Sequence, residues 1–81
     1  MGKKLQEKSI REMVWGALGM RPKRGWTASE LDDYVSFRRD DYSYKSITAT
    51  LATLQNQRLI RKMGKRPSEV TNNTSYAYTR V

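Results

Sequence analysis

The sequence contains neither cysteine nor histidine. Without cysteine it forms no disulfide and no thiolate metal site, which is typical of a reducing intracellular compartment. Without histidine it lacks the commonest general base and metal ligand. The remaining Asp, Glu, Ser and Lys residues show no spacing that gathers them into a catalytic constellation. We therefore expect a binding protein rather than an enzyme, with no cofactor and no bound metal.

Long apolar runs are missing as well. No stretch approaches the roughly 20 apolar residues that a membrane-spanning helix needs, so we expect no membrane association. The 81 residues suffice for one domain with one small core. We predict a single folded unit that follows a flexible basic arm over residues 1–8.

Acidic residues are scarce. Sixteen Lys and Arg residues against eight Asp and Glu give a formal net charge of +8 and a pI near 10.1. A charge of this size on so small a domain indicates an acidic partner, most often nucleic acid. The deficit of acid is local, because residues 42–66 contain six basic residues and no acid, whereas residues 28–41 contain five acids. This segregation favours a dedicated basic surface.

Two capping boxes predict the first two helices. Ser9 with Glu12, and Thr27 with Glu30, have the S/T-x-x-E spacing in which each side chain bonds the backbone N–H of the other residue. Apolar residues at helical spacing follow each box. The predicted helices cover residues 9–18 and 27–35.

A third helix is predicted over residues 43–57. Ser43 is placed to cap it, with Tyr42 and Ile47 as a hydrophobic staple across its start. Its apolar stripe consists of Ile47, Leu51 and Leu54. The second and third helices are joined by a short turn, which is the helix-turn-helix arrangement.

The opposite face of this third helix has small or basic side chains and no acid. It consists of Lys45, Ser46, Thr48, Ala49, Ala52, Thr53 and Asn56. A helix face with small side chains and no carboxylate can approach DNA closely, as a helix bound in the major groove must. An ordinary amphipathic helix with a Thr/Ala-rich exposed side explains the same pattern equally well.

A basic hairpin is predicted after the third helix. Residues 59–63 and 75–81 are predicted to be its strands, residues 64–68 a turn or loop tip with basic residues, and residues 69–75 the continuation of that loop. Lys65 and Arg66 lie in the turn formed by residues 64–67, so we expect both to be solvated. Together with Arg61 and Lys62 they are predicted to grip DNA phosphates or to enter the minor groove.

Most aromatic residues lie at positions that predict packing. The predicted core aromatics are Trp26, Tyr34, Phe37 and Tyr42. Tyr76 and Tyr78 share one face of the last strand, where packing against the helices is expected over stacking on single-stranded bases. Tyr44, on the first turn of the third helix, is left open between packing and a nucleic-acid contact.

The order helix, short strand, helix, helix and basic hairpin resembles the winged-helix transcription regulators of the MarR-like type over residues 9–81. The resemblance is carried by residues 26–31, 43–54 and 59–61, and the position usually held by Gly before Leu59-Ile60 is Arg58 here. If the backbone needs a positive φ there, Arg58 costs about 1 kcal/mol. The resemblance implies an α+β winged helix-turn-helix fold with three helices, a short strand and a C-terminal β-hairpin wing.

The resemblance also implies the function, namely sequence-specific binding of double-stranded DNA by a small transcriptional regulator. The recognition helix, residues 43–57, would enter the major groove, and the wing, residues 59–81, would lie on the backbone or minor groove. The expected contacts are Tyr44, Lys45, Ser46, Thr48, Ala49, Ala52, Thr53, Asn56, Arg61, Lys62, Lys65 and Arg66. We expect a homodimer or a cooperative assembly on DNA. The alternatives are a winged helix that docks on another protein and a binder of RNA or single strands.

Overall fold

The computed structural model describes residues 9–81, so the basic arm predicted for residues 1–8 lies outside it. The elements in chain order are α1 (Ile10–Leu18), β1 (Trp26–Thr27), α2 (Ala28–Ser36), α3 (Tyr44–Asn56), β2 (Ile60–Pro67) and β3 (Thr74–Arg80). Three helices and one three-stranded antiparallel sheet make this an α+β fold, as predicted. Within the described range, no helix is both long and apolar enough to cross a membrane.

Both predicted capping boxes are formed. The Ser9 hydroxyl accepts from the Glu12 N–H at 3.1 Å, and the Glu12 carboxylate accepts from the Ser9 N–H at 2.9 Å. Thr27 and Glu30 make the same reciprocal pair at the start of α2. Ser43 is the N-cap of α3, but its side chain makes no cap hydrogen bond. The Ser46 N–H that it would have bonded donates instead to the Ser43 carbonyl, at 2.9 Å.

The three helices enclose one core that the sheet closes at one end. Its largest fully buried side chains include Val14, Leu18, Leu31, Val35, Ile47, Leu51 and Leu54. Trp26 is buried, and Tyr34 and Tyr42 pack against the core, as predicted. The prediction for Phe37 is wrong, because this side chain is 80% exposed. Phe37 follows Val35 by two residues, so it lies about 200° around the helix axis from the buried stripe.

The strands follow the order β1–β3–β2, so β3 is central. Trp26 of β1 lies opposite Tyr78, and β2 pairs with β3 from Ile60 opposite Arg80 to Pro67 opposite Thr74. The predicted turn at residues 64–67 is wrong, because these residues continue β2. Between Lys62 and Lys65 the register shifts, with two residues of β2 facing one of β3, and this bulge accommodates the longer strand. The hairpin turn is therefore residues 68–73.

Alternation along the strands separates the basic residues of β2. Directly opposed residues in antiparallel strands point to the same side of the sheet. Lys62 opposite Tyr78 and Lys65 opposite Tyr76 therefore share the side on which Tyr78 packs against the helical core. Arg61 opposite Thr79 and Arg66 opposite Ser75 lie on the other side. The segment before β1 covers that second side, where the Thr79 hydroxyl donates to the Pro22 carbonyl at 3.0 Å.

Candidate nucleic-acid interface

The outward face of α3 is as predicted from the sequence. Its exposed residues are Tyr44, Lys45, Thr48, Ala49, Ala52, Thr53 and Asn56, while Ser46 is half-buried. On the inner face, Ile47, Leu51 and Leu54 are buried. The Thr48 hydroxyl donates to the Lys45 carbonyl at 3.1 Å, which leaves its oxygen available as an acceptor.

Two lysines of β2 surround an exposed tyrosine of β3. The Nζ atoms of Lys62 and Lys65 lie 4.6 Å and 5.2 Å from the centre of the Tyr76 ring. Tyr76 is 41% exposed, so the prediction that it packs against the helices is wrong. Tyr78 does pack there, because it lies two residues further toward the body of the sheet. The hairpin thus offers one aromatic ring with two ammonium groups beside it.

This hairpin surface is continuous with the start of α3. Burial raises the pKa of Tyr78, and the neighbouring Tyr44 and Tyr76 raise it further. The strand β2 packs against α3, and Lys62 of β2 lies opposite Tyr78 on the side of the sheet that faces the helices. Tyr44 is itself 50% exposed. We call the surface formed by Tyr44, Lys45, Lys62, Lys65 and Tyr76 the helix–hairpin surface.

Arg66 does not belong to this surface and is not solvated. Its guanidinium donates to Glu30 Oε2 at 2.9 Å and forms a second bond to Oε1. It also donates to the Gly25 carbonyl at 3.0 Å. The prediction of a free, exposed Arg66 is wrong because β2 runs past the bulge and carries this side chain to the start of α2. The exposed Lys65 agrees with its prediction.

Glu30 is the buried centre of this contact, with only 4% of its surface exposed. Its carboxylate accepts from the N–H of Thr27 at 3.1 Å and from the N–H of Glu69 at 2.8 Å, as well as from Arg66. Burial by itself raises the pKa of Glu30, but the hydrogen bonds from Arg66, Glu69 and Thr27 and the charge of Arg24 outweigh it. The pKa falls from 4.5 to about 2. Glu30 is thus a buried carboxylate that stays ionised.

The hairpin tip is also fixed to α2. The Ser29 hydroxyl donates to the Ser68 hydroxyl at 2.7 Å, and Arg24 pairs with Glu69 at 2.6 Å. The tip, residues 68–73, contains one acid and no basic residue, so the predicted basic tip is wrong. We call Arg24, Glu30, Arg66 and Glu69 the hairpin clamp. Because of it, the hairpin presents a strand face to solvent beside α3, while its tip is held against α2.

The predicted contacts therefore divide into three groups. The exposed residues of α3 form the first group, and Lys62 and Lys65 belong with them because both lie on the helix-facing side of β2, which packs against α3. Arg61 is exposed but lies on the opposite side of the sheet. Arg66 is held in the hairpin clamp.

Two features were not predicted from the sequence, namely the pairing of Glu30 with Arg66 and the exposure of Tyr76. The capping box already explains Glu30, so nothing in the sequence points to a second partner. The alternation of β3 is visible, but the bulge that sets Lys65 opposite Tyr76 is not.

Among residues 9–81, no group of three or more Asp or Glu side chains is arranged to hold a metal ion. Comparison of the chain with protein family models, with curated proteins and with solved structures found no match.

Proposed function

We propose that this chain is a winged helix-turn-helix domain that binds double-stranded DNA, with α3 in the major groove and the β2–β3 hairpin on the adjacent backbone. The observation that carries the proposal is the acid-free exposed face of α3 together with two exposed lysines on the helix-facing side of β2, the strand that packs against α3. The three helices and the strand order β1–β3–β2 support the fold assignment.

The distribution of acids fits a polyanionic partner. No Asp or Glu lies on α3, β2 or β3. The described acids lie on α1, on α2, in the turn before α3 and at the hairpin tip: Glu12, Glu30, Asp32, Asp33, Asp40, Asp41 and Glu69. A phosphate backbone that approaches the helix–hairpin surface would therefore meet cations and few repelling carboxylates.

The exposed side chains of α3 suit base edges in the major groove. Threonine hydroxyls bond to either kind of base edge, Thr and Ala methyl groups fit the thymine methyl, and Asn56 can bond adenine through two atoms. Lys45 is the one long cation on this face, so we expect little reading of guanine by α3. Sequence preference would favour A·T pairs.

Backbone contacts are assigned to Lys62 and Lys65. Such contacts fix the position of the protein and give salt-dependent affinity without sequence choice. Arg61 would contribute only where the backbone curves around the edge of the sheet, and Arg66 is assigned to stability. A single half-site read by so small a domain binds modestly, so a transcriptional regulator of this kind would act as a dimer or a cooperative array.

The test is binding to a random duplex, to single-stranded DNA and to RNA of equal length, across a salt series. We expect the duplex to bind best. Lys62→Ala should flatten the slope of log K against log salt by about 0.9, the value for one lost phosphate contact. The matched control is Lys23→Ala, which removes an equal charge from an exposed lysine beside Pro22, on the opposite side of the sheet. Equal effects of both variants, or no duplex binding, would overturn the proposal.

One observation favours docking of a protein as a second function. An open groove of about 220 Å³ lies between α2 and the hairpin tip, and it is lined by Trp26, Tyr34, Phe37 and Val70 among others. Phe37 and Val70 are 80% and 49% exposed. Exposed apolar side chains beside a groove are typical of interaction sites. A photo-crosslinking residue at position 37 should capture such a partner, whereas the same residue at position 48 should capture DNA.

A further inference from the structure

Tyr76 has no evident packing role. It lies outside the hydrophobic core, whereas Tyr78, two residues further along β3, packs against it. A large aromatic side chain that remains 41% exposed on a strand covers little of its apolar surface. The ring is bordered by the Lys62 and Lys65 ammonium groups at 4.6 Å and 5.2 Å from its centre. An exposed aromatic ring beside paired cations is the arrangement that binds a nucleotide, because the base stacks and the phosphates meet the cations.

We propose that Tyr76 stacks on an unpaired DNA base, and that the preferred ligand is a junction between duplex and single-stranded DNA. The inference rests on the proposed duplex binding and adds the ligand class. In it, α3 holds the last turn of the duplex, the first unpaired base lies on the Tyr76 ring, and Lys62 and Lys65 bind the phosphates beside that base.

An unpaired base is required because a paired base already has neighbours on both faces within the duplex. The hairpin does not supply a wedge that would separate paired bases, since its tip is fixed to α2 by the contacts of Ser68 with Ser29 and of Glu69 with Arg24. The accessible part of the hairpin is its strand face, which offers a ring to stack on. The ligand must therefore bring a base that is already free.

A duplex portion is required because the surface is too small for a single strand alone. Within the helix–hairpin surface, the exposed rings are those of Tyr44 and Tyr76. These two rings can stack on one or two bases, and the outer face of α3 beside them has only small or basic side chains that offer no further ring. DNA is favoured over RNA because the major groove of an RNA helix is too deep and narrow for side chains on α3 to read.

The experiment measures fluorescence anisotropy with three ligands: a blunt duplex, the same duplex with a six-nucleotide thymidine tail, and the tail strand alone. We expect the tailed duplex to bind about 5- to 150-fold tighter than the blunt one, the range given by base stacking on one aromatic side chain. Tyr76→Leu should remove this preference, so that the variant binds the tailed and the blunt duplex equally, whereas Tyr76→Phe should retain the preference. In wild type, 2-aminopurine at the first tail position should show quenched fluorescence on binding.

The matched control is Phe37→Leu, which removes an exposed aromatic ring from α2 and should leave the preference intact. A thermal melt of each variant verifies that it is folded. Wild-type binding to the blunt duplex without any preference for the tail overturns this inference and leaves duplex binding standing. No binding to either duplex overturns both. Equal binding of the tail strand alone, or equal weakening of both duplexes by Tyr76→Leu, overturns the junction assignment.

Discussion

Replacing Arg66 by alanine should destabilise the fold strongly, although arginine on an exposed hairpin is usually dispensable. The change leaves the Glu30 carboxylate, which is 4% exposed, without its bidentate partner. Removing one partner of a buried ion pair typically costs about 3–5 kcal/mol, because an uncompensated charge remains in the interior. The bonds from the N–H groups of Thr27 and Glu69 remain, so the lower end of that range is expected.

The pKa of Glu30 gives an independent magnitude. Lowering it from 4.5 to about 2 corresponds to about 3 kcal/mol at 1.36 kcal/mol per unit, shared among all the groups that stabilise the carboxylate. Because the folded pKa is depressed, this stability is present above pH 4.5 and is lost as the pH falls toward about 2. In the Arg66→Ala variant the pKa of Glu30 rises, because burial still favours the neutral carboxyl and the guanidinium no longer stabilises the charged form. This variant therefore loses less free energy of unfolding than the wild type when the pH is lowered.

Urea denaturation of the wild type and of Arg66→Ala at pH 7 and pH 3 measures both the loss of stability in the variant and its weaker dependence on acid. The matched control is Lys65→Ala, an exposed neighbour on the same strand, for which we expect a change below about 0.5 kcal/mol. Adding Glu30→Gln to Arg66→Ala should restore part of the lost stability, because no unpaired charge is then buried. A free energy of unfolding for Arg66→Ala equal to that of Lys65→Ala would refute the assignment of the hairpin clamp.

Three further outcomes are expected. Leu51→Ala should lower the free energy of unfolding by about 2–5 kcal/mol by opening a cavity, whereas Thr48→Ala should leave it nearly unchanged; thermal melts that show both harmless would contradict the inner and outer faces of α3. Arg58 has a φ of 61°, so Arg58→Gly should stabilise the fold by up to about 1 kcal/mol in urea denaturation, and a destabilised variant would argue against strain there. Thr48→Ala and Asn56→Ala should each relax base preference at one position by about 1–3 kcal/mol in a selection from random duplexes, and an unchanged motif would mean that other residues read the bases.

The starts of the helices and their buried faces could be predicted from signals within the sequence. Capping boxes such as Ser9 with Glu12 act between residues three apart, and the stripe of Ile47, Leu51 and Leu54 repeats within one helix. These signals are local, so they do not depend on how the rest of the chain packs. The positive φ at Arg58 was indicated only by the resemblance to winged-helix regulators, which usually have Gly at this position.

The side chains that the hairpin exposes depend on contacts between residues far apart in the chain. The bulge between Lys62 and Lys65 sets the register, and a shift of one residue would exchange the two sides of the strand. That register sends Arg66 to Glu30, 36 residues earlier in the chain, and leaves the lysines beside Tyr76. The strand pattern has a period of two and fits either register equally well. The choice is made by packing and by the buried carboxylate of Glu30, which requires a cation at that one place.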